Sequence, residues 1–374
     1  MAKRIGLLTA GSDCPGLNAA IRAVGKTAIG SFGMEVVGFL DGFQGLIEDH
    51  AIEIEGNALS GILTAGGTIL GTSRELPHEA MRNNQVIDMT EKALETYARH
   101  ELDALVCIGG RETQESALNL KQKGLNIITL PKAIDNDVNV TDTAIGFDSA
   151  VEIAAQSIDR LHSTAHSHHR IIIVEVMGRN TGWLTLGSGI AGGADVILIP
   201  EIPYDIAKVT EAIARRNKAG KGFSIIAVAE RTVSVEQVAF SERLHQMNAM
   251  LRSGSDKEIV DKRLEEIQRQ RSGTTFHVSN LLKEFTGLET RITILGYLLR
   301  GGAPTATERI IATHLGSACA NLIHEKHFGV MVGMQNGRIA PIPLEDVKGS
   351  HKLVPLDHPW VKAARQVGTH LGDD

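Results

Sequence analysis

Nine short, nearly unbroken apolar runs, most of them separated by longer segments of helical spacing, restrict this chain to one class of architecture. They are RIGLLTA, EVVGFL, ALVCIGG, NIITLP, RIIIVEVMG, VILIPE, FSIIAVAE, RITILGY and GVMVGMQ. A strand facing solvent on one side alternates apolar and polar residues, whereas continuous apolarity marks a strand covered on both faces. Several runs end in glycine or a charged residue, as expected where parallel strands deliver ligand-binding turns at their carboxyl ends. The expectation is a doubly wound α/β fold. At 374 residues the chain exceeds what one core usually organises, so two lobes, or one large unit with insertions, are expected.

The compositional break lies between Arg231 and Phe285, where low-glycine, charged sequence such as SDKEIVDKRLEEIQRQR reads as a solvated insertion at about 231–285, a helix or helix pair. Net charge is −6 with both signs interspersed, which argues against a nucleic-acid partner and allows local basic pockets for phosphates. Cys14, Cys107 and Cys319 are widely spaced and form no CxxC pair, so neither a disulfide framework nor a structural zinc site is expected. The opening MAKRIGLLTAG is too short and too quickly broken for a signal peptide or membrane span. These features predict a soluble, cytoplasmic protein with no membrane partner.

Three segments carry the chemistry. TAGSDCPGLNAAIR places Gly11 and Ser12 after the first strand and before an Ala-rich helix, so exposed amides and the helix's positive end face one point, where phosphate can bind; a plain tight turn fits the same residues. The nearby Gly25–Thr27 is no Walker motif, because Ala20 stands where its first glycine belongs. GGTILGTSR ends in Arg74, a fork-shaped donor for a phosphoryl group. PKAIDNDV combines a turn, the cation Lys132 and the carboxylates Asp135 and Asp137. An aspartate there can take a proton from a sugar hydroxyl while the lysine holds an anion, although a solvated acidic loop is an equal reading of this segment alone. His162, His166, His168 and His169 lack acidic or cysteine companions, so a polar helix end is expected rather than a metal cluster. Trp183 reads as core.

Together with TAIGFDSA, EVMGRNTGW, GIAGGAD and ETRITILGYLLRGGAPTATER, these segments resemble the 6-phosphofructokinase family, in order and over nearly the whole chain. The resemblance implies two Rossmann-like lobes with the active site between them, in a homo-oligomer, usually a tetramer whose subunits complete one another's sites. It further implies the glycolytic transfer of a phosphoryl group from ATP or pyrophosphate to the 1-hydroxyl of fructose 6-phosphate. Residues 1–146 with 299–348 would form the phosphoryl-donor lobe, and 147–298 with 349–374 the sugar-phosphate lobe. Asp135 would be the base, with Asp137 beside the metal and Arg74 and Arg179 assisting. Met177, Gly178 and Glu230 would line the sugar. Arg291, Arg300 and Tyr297 would bind the 6-phosphate, with Arg170 reaching across from a neighbouring subunit. Gly11, Ser12, Arg74, Gly110, Arg111, Glu112 and Lys132 would face the donor.

The departures from the family's pattern fall mostly on the donor side. Gly109, Gly110, Arg111 and Glu112 stand where Gly-Gly-Asp-Gly is usual, and the missing aspartate helps hold Mg²⁺. At a few ångströms and an effective dielectric of about 20, replacing it by a guanidinium opposes bound magnesium by several kcal/mol. An aspartate plus Mg²⁺ carries about the charge of one guanidinium, so Arg111 could instead bind donor oxygens directly. Ser12 replaces a glycine, Ala133 a threonine, Asn180 and Thr181 a His-Ala pair, Arg231 a glycine and Tyr297 a histidine. Lys132 and Glu112 resemble the pattern of pyrophosphate users, so the donor stays open. So does an alternative: a weakly active or inactive sugar-phosphate-binding paralogue serving as sensor or regulatory subunit.

Overall fold

The structure is a computed structural model that describes residues 3–250, 274–347, 349 and 351–374, with side chains described outside 245–250. The first part runs β1 (Arg4–Thr9), α1 (Leu17–Phe32), β2 (Glu35–Phe39), α2 (Phe43–Glu48), β3 (Ala51–Glu53), β4 (Ala80–Arg82), β5 (Gln85–Ile87), α3 (Thr90–Arg99), β6 (Ala104–Gly109), α4 (Arg111–Gln122) and β7 (Ile127–Pro131). Then come α5 (Phe147–His168), β8 (Ile171–Val176), α6 (Trp183–Ala191), β9 (Val196–Leu198), α7 (Ile206–Lys218), β10 (Ser224–Ala229), α8 (Val235–Met250), α9 (Thr274–Thr286) and β11 (Thr290–Ile294). The last part holds α10 (Ala306–His324), β12 (Val330–Gln335), β13 (Arg338–Pro343), α11 (Leu344–Val347) and α12 (Pro359–Gln366). Contacts divide the chain into one unit of Met1–Ala150 with Tyr297–Lys352 and a second of Val151–Gly296 with Leu353–Asp374.

The first unit is built on a seven-stranded sheet of order β13-β12-β7-β6-β1-β2-β3. Its five inner strands are parallel, and antiparallel β3 and β13 close its edges. Every residue of β6 and β7, and all of β1 except Arg4, is buried, as continuous apolarity requires of strands covered twice. On one face Phe43 and Leu46 of α2, Ala93 of α3, Ala117 and Leu120 of α4 and Leu344 of α11 pack against Leu8, Phe39, Leu105 and Met331. Each of the buried Leu, Phe and Met side chains contributes about 1.5–3 kcal/mol. On the other face α1 lies against α10. Gly316 permits the approach, since a Cβ there would stand 3.0 Å from the Ala20 carbonyl oxygen and 2.9 Å from the Val24 nitrogen.

The second unit carries a four-stranded, fully parallel sheet of order β11-β8-β10-β9. Val209 and Ile213 of α7 and Val278 and Leu282 of α9 cover Ile171, Ile173, Ile226 and Val228 on one face. Gly189 of α6 meets Ile197 and Ala227. All nine apolar runs are strands, and the chain is α/β with parallel sheets as expected. Among the described residues four further strands carry no such run. β3, β4 and β5 have three residues each, and β13 contains Pro341 and Pro343, tolerable only because it is an edge. The segment SDKEIVDKRLEEIQRQR lies outside the described residues, flanked by α8 and α9. All three cysteines are buried and free. Among the described residues no helix is long and apolar enough to cross a membrane.

Candidate active site

The donor-side residues gather because β1, β6 and β7 are adjacent and parallel, so the turns leaving their carboxyl ends share one edge of the sheet. The turn after β1 bears Gly11 and Ser12. Gly11 donates its N–H to the Ser73 carbonyl at 2.7 Å and accepts from the Thr72 hydroxyl at 2.7 Å, and Arg74 Nη2 donates to Ser12 Oγ at 3.4 Å. The segment GGTILGTSR is thereby held against the first turn. A further anchor is Asn18, 2% exposed in the first turn of α1. Asn18 accepts from the Ile69 N–H at 2.7 Å and donates to the Gly66 carbonyl at 3.0 Å. In the sequence Asn18 carries no signal beyond its place inside the first motif.

Lys132 leaves the end of β7 and turns inward. It is 5% exposed, and its Nζ donates to the Ser12 carbonyl. Burial depresses its pKa; Cys14, Asp13 and Asp137 offset this, while the neighbouring Arg300 adds to it. An ammonium so poorly hydrated gains from any anion brought to it. Arg300 stacks over the Tyr297 ring at 5.2 Å, and both residues lie in the first unit.

Asn136 shapes the IDND turn. Its φ is 51°, a left-handed conformation that asparagine tolerates better than most residues. Its Nδ2 donates to the Asp142 carbonyl at 3.1 Å and its Oδ1 accepts from the Ala144 N–H at 3.1 Å, so Asp135 and Asp137 project from either side of a fixed residue. Asp137 Oδ2 accepts from His351 Nδ1 at 3.0 Å, a contact across the sequence that no motif announced. Beneath this edge Glu308 is fully buried. Its carboxylate accepts from the Gly146 N–H at 2.8 Å, the Ser149 N–H at 3.2 Å and the Ser149 hydroxyl at 3.3 Å. Burial pushes its pKa up to about 7, and these hydrogen bonds hold it from rising further.

Gly110 caps α4, and Arg111 and Glu112 form its first turn. The turn's N–H groups face the donor edge. Arg111 does not reach straight to that edge, because its Nη1 donates to Glu115 Oε1 at 2.8 Å, one turn along the helix. Among the described residues no group of three or more His, Cys, Asp or Glu could hold a metal ion. Mg²⁺ needs no such cage when phosphates and waters supply most of its ligands. Asp137 offers the one carboxylate that such an ion requires, and to that extent the residues fit.

In the second unit Met177, Gly178 and Arg179 leave the carboxyl end of β8, beside Glu230 at the end of β10. The Glu230 N–H donates to the Val176 carbonyl at 3.2 Å, and Arg179 Nε stands 3.7 Å from Glu230 Oε2. Gly178 has φ 147°, and a Cβ there would lie 2.8 Å from the Thr181 carbonyl oxygen. Arg170 and Arg291 are elsewhere. Arg170 precedes β8 and Arg291 pairs with Ile172, so at about 3.3 Å per residue Arg170 and Met177 are roughly 20 Å apart. Both arginines converge on Glu289, Arg170 Nε at 2.5 Å and Arg291 in close contact. One copy of the chain therefore does not bring Arg170 and Arg291 to the edge that carries Met177, Gly178, Arg179 and Glu230. Glu289, unnoticed in the sequence, groups the two arginines.

His162, His166 and Trp183 are tied to neighbours within their own unit. His162 Nε2 lies 2.7 Å from the Gly192 carbonyl oxygen, and His166 meets Phe223 edge-on at 5.6 Å. Trp183 is 6% exposed and lies edge-on to His358 at 4.8 Å.

A family model described as "Phosphofructokinase" matches residues 4–323. A relative in Propionibacterium freudenreichii named ATP-dependent 6-phosphofructokinase is 47% identical over the full length of both chains. Another of that name in Spirochaeta thermophila is 46% identical over 99% of this chain and 98% of the relative. A crystal structure of a pyrophosphate-dependent phosphofructokinase from Marinobacter aquaeolei superposes with a TM-score of 0.78 over 99% of this chain and 92% of that one, at 19% identity, a likeness of fold. Matching at this level along nearly every residue makes the chain a member of the phosphofructokinase family.

Proposed function

We propose that this chain transfers the terminal phosphoryl group of ATP to the 1-hydroxyl of fructose 6-phosphate. The observation that carries the reading is the convergence of the Gly11–Ser12 turn, buried Lys132 and the Asp135–Asp137 turn on one sheet edge of the first unit. Gly11, Ser12, the first turn of α4 at Gly110–Glu112, Lys132 and Arg74 would hold the donor, their N–H groups and cations meeting its negative oxygens. Asp135 would accept the proton of the 1-hydroxyl as that oxygen bonds to phosphorus and the bond to ADP breaks, giving fructose 1,6-bisphosphate and ADP. A magnesium ion, held by Asp137 and the donor's own phosphates, would neutralise charge on the transferring group.

Met177, Gly178, Arg179 and Glu230 would bind the sugar, and Arg300 and Tyr297 its 6-phosphate. Arg170 and Arg291, grouped by Glu289 at the opposite edge, would serve a neighbouring copy, in keeping with a homo-oligomer, a tetramer by family resemblance. On this reading the first unit, Met1–Ala150 with Tyr297–Lys352, is the donor lobe and the second, Val151–Gly296 with Leu353–Asp374, the sugar-phosphate lobe, bounds a few residues from those expected of the sequence. Full-length relatives that bear the enzyme's name favour a transferase over a sensor paralogue, and they favour ATP over pyrophosphate. The test is a coupled assay of the purified chain with fructose 6-phosphate against ATP, ADP and pyrophosphate, with and without magnesium. Turnover with ATP is expected. Turnover with pyrophosphate alone would overturn the donor, and sugar-phosphate binding without any turnover would overturn the enzyme.

A further inference from the structure

The IDND turn is gripped from outside by a stretch that belongs to none of the family-like segments. His351 Nδ1 lies 3.0 Å from Asp137 Oδ2 across 214 residues of sequence. Since an ionised carboxylate can only accept, Nδ1 carries the proton and donates it. The next residue adds two bonds. The Lys352 N–H donates to the Asp137 carbonyl at 3.1 Å, and Lys352 Nζ donates to the Asp142 carbonyl at 2.6 Å. That same carbonyl receives Asn136 Nδ2. Asp137 is thus held at both its carboxylate and its carbonyl, while the closing end of its loop is tied by the residue beside it. Asp142 is fixed in turn, its Oδ2 accepting from the Gly337 N–H at 2.9 Å.

We propose that His351 and Lys352 form a strap that positions the Asp135–Asn136–Asp137 turn for phosphoryl transfer, with His351 a positioning residue acting through Asp137. A tilt of this turn would move Asp135 and Asp137 together, and small misplacements of reacting groups cost large factors in rate. Asn136 fixes the inner side of the turn; the strap fixes the outer side. The inference rests on the phosphotransferase reading for its kinetic consequence and on the hydrogen bonds alone for its structural one.

The test compares His351→Ala, His351→Asn and Lys352→Met in the full chain. An asparagine amide can take the place of Nδ1–H, whereas alanine cannot. His351→Ala is expected to lower kcat at least tenfold, with KM for fructose 6-phosphate and the melting temperature near wild type; His351→Asn restores most of the loss and Lys352→Met gives a smaller one. Hydrogen exchange of the peptide covering 133–142 should quicken in His351→Ala and not in His351→Asn. Equal loss in the alanine and asparagine variants, a loss that follows melting temperature, or unchanged exchange in His351→Ala overturns the strap. If the wild type turns over no donor, the functional reading falls, and the exchange measurement still decides whether the strap holds the turn.

Discussion

Replacing Glu308 by glutamine should flatten the pH dependence of stability across neutrality. The carboxylate is completely buried, and burial raises its pKa from 4.5 to about 7 against the pull of Gly146 and Ser149. The folded state therefore binds the proton more tightly than the unfolded chain does. The stability this supplies is fully present below about pH 4.5 and is lost as pH rises through about 7. A tenfold difference in proton affinity is worth about 1.4 kcal/mol, so the whole effect is roughly 3 kcal/mol. Glutamine cannot ionise, but its NH₂ must face either the Gly146 or the Ser149 N–H, an unmade bond costing about 1–3 kcal/mol at every pH. Glu308→Gln should be the less stable protein at pH 5, with the gap narrowing or reversing by pH 8. Urea titrations followed by circular dichroism at four pH values measure the gap directly. Other groups with altered affinity, such as Asp195 and Glu201, are common to both proteins and cancel. A gap constant to within about 0.5 kcal/mol, the usual scatter of additivity, would refute the reasoning.

Lys132→Met should raise KM for the donor at least tenfold while leaving the protein folded, because it removes a cation that burial already disfavours; steady-state kinetics with a melting curve separate the two. Arg111→Asp with Glu112→Gly should increase magnesium-dependent turnover with ATP, since it frees Glu115 of its partner and restores a metal-binding carboxylate; no gain would show that the other donor-side changes dominate. Gly178→Ala should cost about 1–3 kcal/mol of strain, given its φ of 147° and the 2.8 Å approach to the Thr181 carbonyl oxygen. Calorimetry would show a lower melting temperature, and titration weaker binding of fructose 6-phosphate.

The inner strands were legible because a strand covered on both faces needs apolar residues at every position, as in IVLA-rich β6 and β10. β3, β4, β5 and β13 were not, since short edge and hairpin strands need no such run. Among site residues, glycine-rich turns and the IDND carboxylates stood out by their type and spacing. Asn18 and Glu289 looked like any polar residue, and their roles arise from where chain segments meet.

Local sequence alone determined that this is a parallel α/β chain, with Lys132, Asp135 and Asp137 in a single short segment. Those properties follow from burial and from residues a few positions apart, and neither depends on distant partners. Only the tertiary structure decided that Arg170 and Arg291 share Glu289 about a strand's length from Glu230, and that His351 grips Asp137. Strand order and register select such pairs among residues up to hundreds of positions apart, and nothing in the spacing along the chain encodes that choice.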